Sequence, residues 1–460
     1  LNVQIDESED NPVKHPLLFQ FMLDISASMS VTVLGFRTKM ELLHFIMENI
    51  LRHFAESYHH IHVEVNGFDD RIENYIDCTH VSKDNIEDLV SKIKFIRPRG
   101  STDIGLALNS LNASLEKKYE NIPLENRICI MLTDGEPTAG IRTTPDLVNI
   151  PSDDATYHYI ALGDRHNGSL MNKLGHKTEY TSNWFVNELE HTGSVYGEIL
   201  FNELNRLYKD VTITIEHGKI YDFIQGKFVT SLNLGYLQKE YNKDYHLEIN
   251  DPDKCTIVLH GYDLVENKTQ SYSCTTICEI NESNDTIYCL KHYFRLCVQN
   301  LMYNMRQESS PSMLEPVHLF RGAIQNNSLY EKYYYKITEL SKSLKTFSNF
   351  NHLEDDPILL NLQKDLTVMK NVCGCIDNYK YIYACEDSHG KQRSYNTASQ
   401  YEYDDLNYLE RPVLARETSA YATIGRVQLM REVTQGSQNV NDVHIVSPSE
   451  EDPTGVNDLV

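Results

Sequence analysis

From about Pro16 to Asp210, short apolar runs alternate with amphipathic stretches, which predicts a parallel sheet flanked by helices. The strands are placed at LLFQFMLDI, HIHVEVNGF, RICIMLTD and TYHYIALG. Three of these are near-continuous apolar or β-branched runs, as expected for strands covered on both faces. Between the first two lies RTKMELLHFIMENILRHF, whose Leu42, Leu43, Ile46, Ile50 and Phe54 share one helical face. Thr38 and Glu41, three apart at its entry, form the pattern of a capping box. RIENYIDCTHV reads as an antiparallel edge strand, and DNIEDLVSKIKFI and IGLALNSLNASLEKKY as further helices. SLMNKLG and VNELEHTGSVYGEILFNELNRLY close the unit.

After Asp210 the period changes. VTITIEHGKI, GKFVTSLNLG, KDYHLEIN, CTIVLHGYDL and QSYSCTTICEI are short alternating segments punctuated by Gly and Asn, which predicts a small all-β module over 210–282. The helical period then returns in IYCLKHYFRLCVQNLMYNM, LYEKYYYKITELSKSLKTF and ILLNLQKDLTVMKNV, giving a helical region over 286–400. Residues 1–15 are a polar leading segment, and 401–460 a polar, partly disordered tail. The expected fold class is therefore α/β, a doubly wound, mostly parallel and Rossmann-like sheet, followed by the β module and the helices.

Composition narrows the function. The net charge of −24 over 460 residues argues against nucleic acid and against an anionic membrane surface, both of which need clustered Lys and Arg. With a mean hydropathy of −0.44, no apolar run approaches the ~18 residues of a spanning helix. No leader is read in the sequence, which begins at Leu1 rather than Met. Ten irregularly spaced cysteines are no disulfide framework, so a reduced, cytoplasmic compartment is the expectation.

The candidate chemistry starts at FMLDISASMS, where a buried-looking strand runs into Asp24, Ser26 and Ser28 at two-residue intervals. Residues two apart in extended chain point the same way, so this loop offers three oxygens to one place. Open α/β sheets bind ligands at the carboxyl ends of their strands. A second strand ends in MLTDGEP, which puts Asp134 at that edge. FIRPRGSTDIGLAL adds Thr102 just before a helix. Two carboxylates and three hydroxyls make an all-oxygen set suited to a hard cation such as Mg²⁺. The neutral hydroxyls leave its charge only partly offset, so it still attracts one more anionic oxygen, such as a partner's Asp or Glu.

These motifs carry a resemblance. Residues 16–208 resemble a von Willebrand factor type A domain, with DISAS, the Thr of GSTDIGLAL and the Asp of TDG matching its metal-ion-dependent adhesion site in the right order. The resemblance implies that Ser26, Ser28 and Thr102 touch the metal directly or through one water. It also implies that Asp24 and Asp134 act largely through bound waters, with Asp103 as an acid behind them. TSNWFVNELEHTGSVYGEIL resembles the closing strand and helix of intracellular members, some of which carry a β module and helices downstream.

Other candidates are weaker. His59, His60 and His62 fit a helix-to-strand junction better than a metal site. Cys373, Cys375, Cys385 and His389 have atypical zinc spacing and read as ordinary cysteines near a helix end. Cys274, Cys278 and Cys289 are expected as small buried hydrophobes. The tyrosines at 330, 333, 334 and 335 form a stripe that is half core and half surface. No G-x-S-x-G, P-loop, H-E-x-x-H or G-x-G-x-x-G occurs, so no enzyme is expected. The expectation is a Mg²⁺-dependent (Mn²⁺ the alternative) protein-binding scaffold that captures an acidic side chain of a partner protein. Two rivals stand beside it: a structural assembly subunit whose metal staples its own loops, and the non-catalytic part of a ubiquitin-ligase-like protein. The acids Glu450, Glu451 and Asp452 of the tail are candidates to cap the metal in cis.

Overall fold

The computed structural model describes residues 1–5, 15–33, 37–58, 60–117, 119, 121–163, 166–186, 191–275, 284–309, 327–373, 379–395 and 420–435. Its centre is a six-stranded sheet: β1 (Leu17–Asp24), β2 (Ile61–Phe68), β3 (Ile72–His80), β4 (Arg127–Thr133), β5 (Thr156–Leu162) and β6 (Thr181–Val186). The order is β3-β2-β1-β4-β5-β6, parallel except for the antiparallel edge strand β3.

Every residue of β1, β4, β5 and β6 is buried, and in β1 and β4 cover on both faces gives near-continuous apolar runs. Phe19, Phe21 and Leu23 face one side of the sheet together with Ile128, Ile130 and Leu132 of β4. Met22, Cys129 and Met131 face the other. The first side is covered by helices α1 (Lys39–Ser57), α2 (Ile86–Lys94) and α5 (Thr192–Leu204), and the second by α3 (Ile104–Leu115) and α4 (Gly168–Gly175). Helix α1 starts with the expected capping box: Glu41 N–H donates to Thr38 Oγ1 at 3.1 Å, and Thr38 N–H to Glu41 Oε2 at 2.9 Å.

The chain leaves β1 in one direction to build β2 and β3, then returns to β1's other flank with β4. Leu23 is in register with both Gly67 and Leu132, so the carboxyl ends of β1 and β4 lie side by side. That reversal is the topological switch point where open sheets of this kind place their ligands.

The β module is antiparallel. One sheet has the order β10-β7-β12-β13, from β7 (Arg206–Glu216), β10 (Ser231–Gln238), β12 (Thr256–Asp263) and β13 (Lys268–Thr275). A three-stranded sheet joins β8 (Gly218–Asp222), β9 (Lys227–Val229) and β11 (Leu247–Ile249). Strand β7 already starts at Arg206, inside the expected 16–208 unit, because it follows α5 with a single residue between. The leading residues also depart from expectation: Asn2–Gln4 pair antiparallel with Asn242–Asp244, and Leu1, Val3 and Ile5 pack on the module's core.

Beyond it come α6 (Asn284–Ser309), α7 (Asn327–Phe350), α8 (Pro357–Val372), α9 (Tyr379–Gly390) and α10 (Ile424–Gln435). Val298, Met302, Ile337, Leu362 and Ile382 extend the hydrophobic cluster that covers the second face of the central sheet. Helix α10 falls in what reads as a polar tail, yet Leu429, Met430 and Val433 belong to the core on the first face. Gly193 and Gly197 of α5 admit it: a Cβ at Gly197 would meet the Met430 Cα at 2.4 Å, and one at Gly193 the Thr434 Cα at 2.7 Å.

Candidate functional site

Asp24 ends β1, and burial removes its carboxylate from water entirely. Its Oδ1 accepts the backbone N–H of Ser26 at 2.8 Å, and its Oδ2 the hydroxyl of Thr133 at 2.7 Å. The first bond is the one a short acid makes with the chain two residues on, and it turns the loop. Ser26 Oγ and Ser28 Oγ are 2.9 Å apart, and Ser28 donates to Asp134 Oδ1 at 2.6 Å. Four of the expected residues are thus linked through three loop positions and one strand end.

Thr102 arrives from a third loop. Its N–H donates to Thr138 Oγ1 at 2.8 Å, while its carbonyl accepts the N–H groups of Thr138 and Ala139 at 2.9 and 3.1 Å. This pins it to the segment that follows Asp134. A Cβ placed on Gly135 would lie 3.7 Å from Thr102 Oγ1, so the hydroxyl borders the same corner. The five residues Asp24, Ser26, Ser28, Thr102 and Asp134 therefore meet at one edge. Asp103 does something else: it caps α3, accepting the Leu106 N–H at 2.9 Å, and lies over Gly140, whose φ of +61° suits glycine.

Electrostatics make the corner acidic and strained. Burial, with the neighbouring charge of Asp134 second, pushes the Asp24 carboxyl up to about 6. The bonds from Ser26 and Thr133 offset only part of that. Lys39 brings a positive charge to the corner, with Nζ 2.5 Å from Asp134 Oδ2 and a side chain 11% exposed. It is the first residue of α1, where the helix dipole disfavours a cation, and the buried carboxylate is what holds it there.

The donor set fits a hard divalent cation: all oxygen, two acids of like charge held close, and hydroxyls that ask for no extra neutralisation. Among the described residues no three His, Cys, Asp or Glu side chains converge as a metal group, so any such site draws on the hydroxyls. Lys39, Thr133 and Thr138 were not singled out by the sequence reading. A lysine directly after an N-cap is the signal that marks the first.

The remaining candidates are placed as follows. His62 packs edge-on against His80, ring centres 5.2 Å apart, and His59 lies outside the described residues. Cys373 and Cys385 are buried, His389 pairs with Asp365, and Cys375 is outside the described residues. Cys274 and Cys289 correct the expectation of burial: both are exposed, Cys274 because β13 is an edge strand. Cys278 and the tail acids Glu450, Glu451 and Asp452 also fall outside the described residues. Tyr333 is buried and Tyr335 exposed, while the side chain of Tyr330 is not described. Among the described residues, no helix is long and apolar enough to cross a membrane.

Residues 19–136 match the family model described as the von Willebrand factor type A domain. No curated protein matches the sequence. Among solved structures, the ArnB paralog VWA2 from Sulfolobus acidocaldarius is similar at 13% identity, covering 85% of this chain and 90% of its own, with a TM-score of 0.45. A von Willebrand factor type A structure from Catenulispora acidiphila is similar at 11% identity, 91% and 89% coverage and a TM-score of 0.44. Proximal thread matrix protein 1 from the mussel byssus, with a zinc-occupied MIDAS motif, matches at 17% identity over 40% of this chain and 45% of its own, with a TM-score of 0.32.

Proposed function

Since residues 19–136 form a von Willebrand factor type A domain, a class that generally mediates protein–protein contact, we propose that the chain is a Mg²⁺-dependent binding module that captures a carboxylate of a partner protein. The observation that carries this reading is the linked run Asp24–Ser26–Ser28–Asp134, closed by Lys39, at the switch point of the sheet. Ser26, Ser28 and Thr102 would hold the ion, with Asp24 and Asp134 balancing its charge. A bound divalent cation supplies two positive charges and room for one more anionic oxygen.

The charge count explains why that oxygen should be a partner's. Asp24, Asp134 and Lys39 sum to −1, and a divalent ion turns the corner to +1. An Asp or Glu side chain then neutralises it. Asp24, Ser26, Thr102 and Asp134 are buried and Ser28 is half-buried, so a ligand approaches from the Ser28 side. Val31 and Ile141, exposed on the loops after Ser28 and Asp134, would add apolar contact around it. The role is binding rather than catalysis: Ser28 donates to a carboxylate already shared with a lysine, an arrangement that does not activate a nucleophile.

The test has two arms. Calorimetric titration of the full chain should show saturable Mg²⁺ and Mn²⁺ binding that Ser28→Ala weakens. Immobilised protein should then retain acidic peptides from a library in Mg²⁺ and release them in chelator, with retention lost when the peptide's Asp or Glu becomes Asn or Gln. Metal binding that raises the melting temperature without metal-dependent peptide retention would replace this reading with a structural staple.

A further inference from the structure

A second cluster of charge lies far from the sheet's carboxyl edge, in a cavity of about 220 Å³ where the type A domain, the β module and the helical region meet. Its wall includes Lys243 beside β10, Arg295 of α6, Lys391 and Arg393 after α9, and Arg426 of α10. Arg295, Arg393 and Arg426 are each more than nine-tenths buried. Buried cations of like sign are costly unless anions pair with them.

Three of these cations donate hydrogen bonds to backbone carbonyls. Arg295 donates to the Asp244 carbonyl at 2.8 Å, Lys391 to the Thr181 carbonyl at 3.0 Å, and Arg393 to the Asn183 carbonyl at 2.7 Å. Arg393 also stacks on Trp184, 3.9 Å from the ring centre, and pairs with Asp387 at 3.9 Å. The Lys243 ammonium lies 4.8 Å over the Tyr241 ring. Arg426 lines the cavity with its Nε and one Nη free of any hydrogen-bond acceptor, and the Nε of Arg295 is likewise unpartnered.

The acids in the same wall also accept hydrogen bonds from other groups. Glu198 accepts the N–H groups of Ser394 and Tyr395 at 2.8 and 2.7 Å. Asp222 accepts the Ile224 N–H, Asp244 binds Asn2 and Tyr288, and Glu203 pairs with Arg206. Glu179 faces Asn233 on the exposed side. The result is a concave site in which buried guanidinium N–H groups of Arg295 and Arg426 lack acceptors among the described residues. Burial, then the charges of Arg426, Arg393 and Lys391, pulls the Lys243 ammonium down to about 7, with Glu198 opposing.

We propose that this cavity binds a small phosphate-class anion, with orthophosphate or pyrophosphate as its simplest occupants, and that the bound anion ties the three parts of the chain together. Guanidinium forks match phosphate oxygens two at a time, and lysine adds a point charge. The volume lies below the ~300–1,000 Å³ typical of pockets for drug-sized ligands, which sets the size class.

The experiment is calorimetric titration of the full chain, in metal-free buffer, with orthophosphate, pyrophosphate and glycerol phosphate, against chloride at matched ionic strength. The expected result is one saturable site for at least one of the three, distinct from the chloride response. Lys243→Gln and Arg426→Gln should each weaken it at least tenfold, while Asp134→Asn and the exposed-site control Lys254→Gln leave it unchanged. Binding of glycerol phosphate equal to that of orthophosphate identifies an ester ligand, and its exclusion a free anion. If Arg426→Gln does not fold, Lys243→Gln and the unmodified chain still decide. No saturable binding by the unmodified chain, or undiminished binding by Lys243→Gln, overturns the proposal.

Discussion

At the carboxyl edge of the central sheet, two buried acids lie together and one of them pairs with a lysine; in the cavity between modules, five cations share a wall with acids, and guanidinium N–H groups of two of them lack acceptors. The first cluster comes from loops that are each legible as a short motif, D-x-S-x-S, S-T-D and T-D-G. The second draws residues from four separate stretches between Lys243 and Arg426, none of which forms a pattern. Both carry strain of one sign, and in both the strain is what makes a ligand welcome. The difference lies in where the strain is anchored. The acidic corner sits on strand ends of a rigid sheet, whereas the basic cavity exists only once three parts of the chain have packed.

The largest effect separates the two clusters outright. Asp134→Asn removes the acceptor of Ser28 and the counter-charge of Lys39, so divalent-ion affinity should fall at least about 100-fold, roughly 3 kcal/mol, in a calorimetric titration, with anion binding in the cavity untouched. A shared loss would show that the clusters are coupled. Next is Asp24→Asn. Because burial and Asp134 hold that carboxyl at about 6 rather than 3.8, its ionised form costs the metal-free fold up to about 3 kcal/mol at neutral pH. The variant should therefore resist denaturant better than the parent without metal, and lose the parent's stabilisation by Mg²⁺. A variant no more stable than the parent would mean that the acid's hydrogen bonds outweigh its charge.

A third prediction probes the basic side with the opposite sign. An unfolded Lys243 titrates near 10.5 and the folded one near 7, so between those values the unfolded chain binds more protons. Stability without anion should then rise from pH 7 toward pH 10, by the order of 1 kcal/mol per pH unit at most. Arg426, Arg393, Lys391 and Glu198 face this group, and of these only Lys391, lowered by burial to about 8, titrates in the same window. Lys243→Gln should flatten the curve measured by chemical denaturation. Unchanged curvature would assign the effect to Lys391.

The contrast also explains what could be read from the sequence. Three of the strands β1, β2, β4 and β5 are visible because burial on both faces leaves near-continuous apolar or β-branched runs, and the capping box of α1 because its two residues are three apart. Helix α10 was not: Leu429, Met430 and Val433 are few and lie beside a buried Arg426, so the stretch looks polar. Its docking depends on Gly193 and Gly197, four apart on α5, a spacing that opens a groove for a partner helix and could have prompted a search for one. Asn2–Gln4 was hidden for the same reason, since a three-residue edge strand declares itself only through its partner Asn242–Asp244. At the site, side chains contributed by motifs were found, and Lys39 was passed over because its role comes from a contact 95 positions away.

That lysine gives the smallest and sharpest test. Its ammonium repels an incoming divalent ion and, once the ion is bound, helps attract a carboxylate, so removing the charge should move two affinities in opposite directions. Lys39→Met keeps the stem that packs at the head of α1 and deletes the charge. Metal affinity should rise about tenfold, about 1.4 kcal/mol, while retention of an acidic peptide at saturating Mg²⁺ falls by a few-fold. A purely structural lysine would weaken both through a disturbed Asp134, and a bystander would change neither. Opposite signs in the two titrations can arise only if the charge at residue 39 is counted in the corner's balance, and that balance is the reason a partner's acid, rather than water, completes the site.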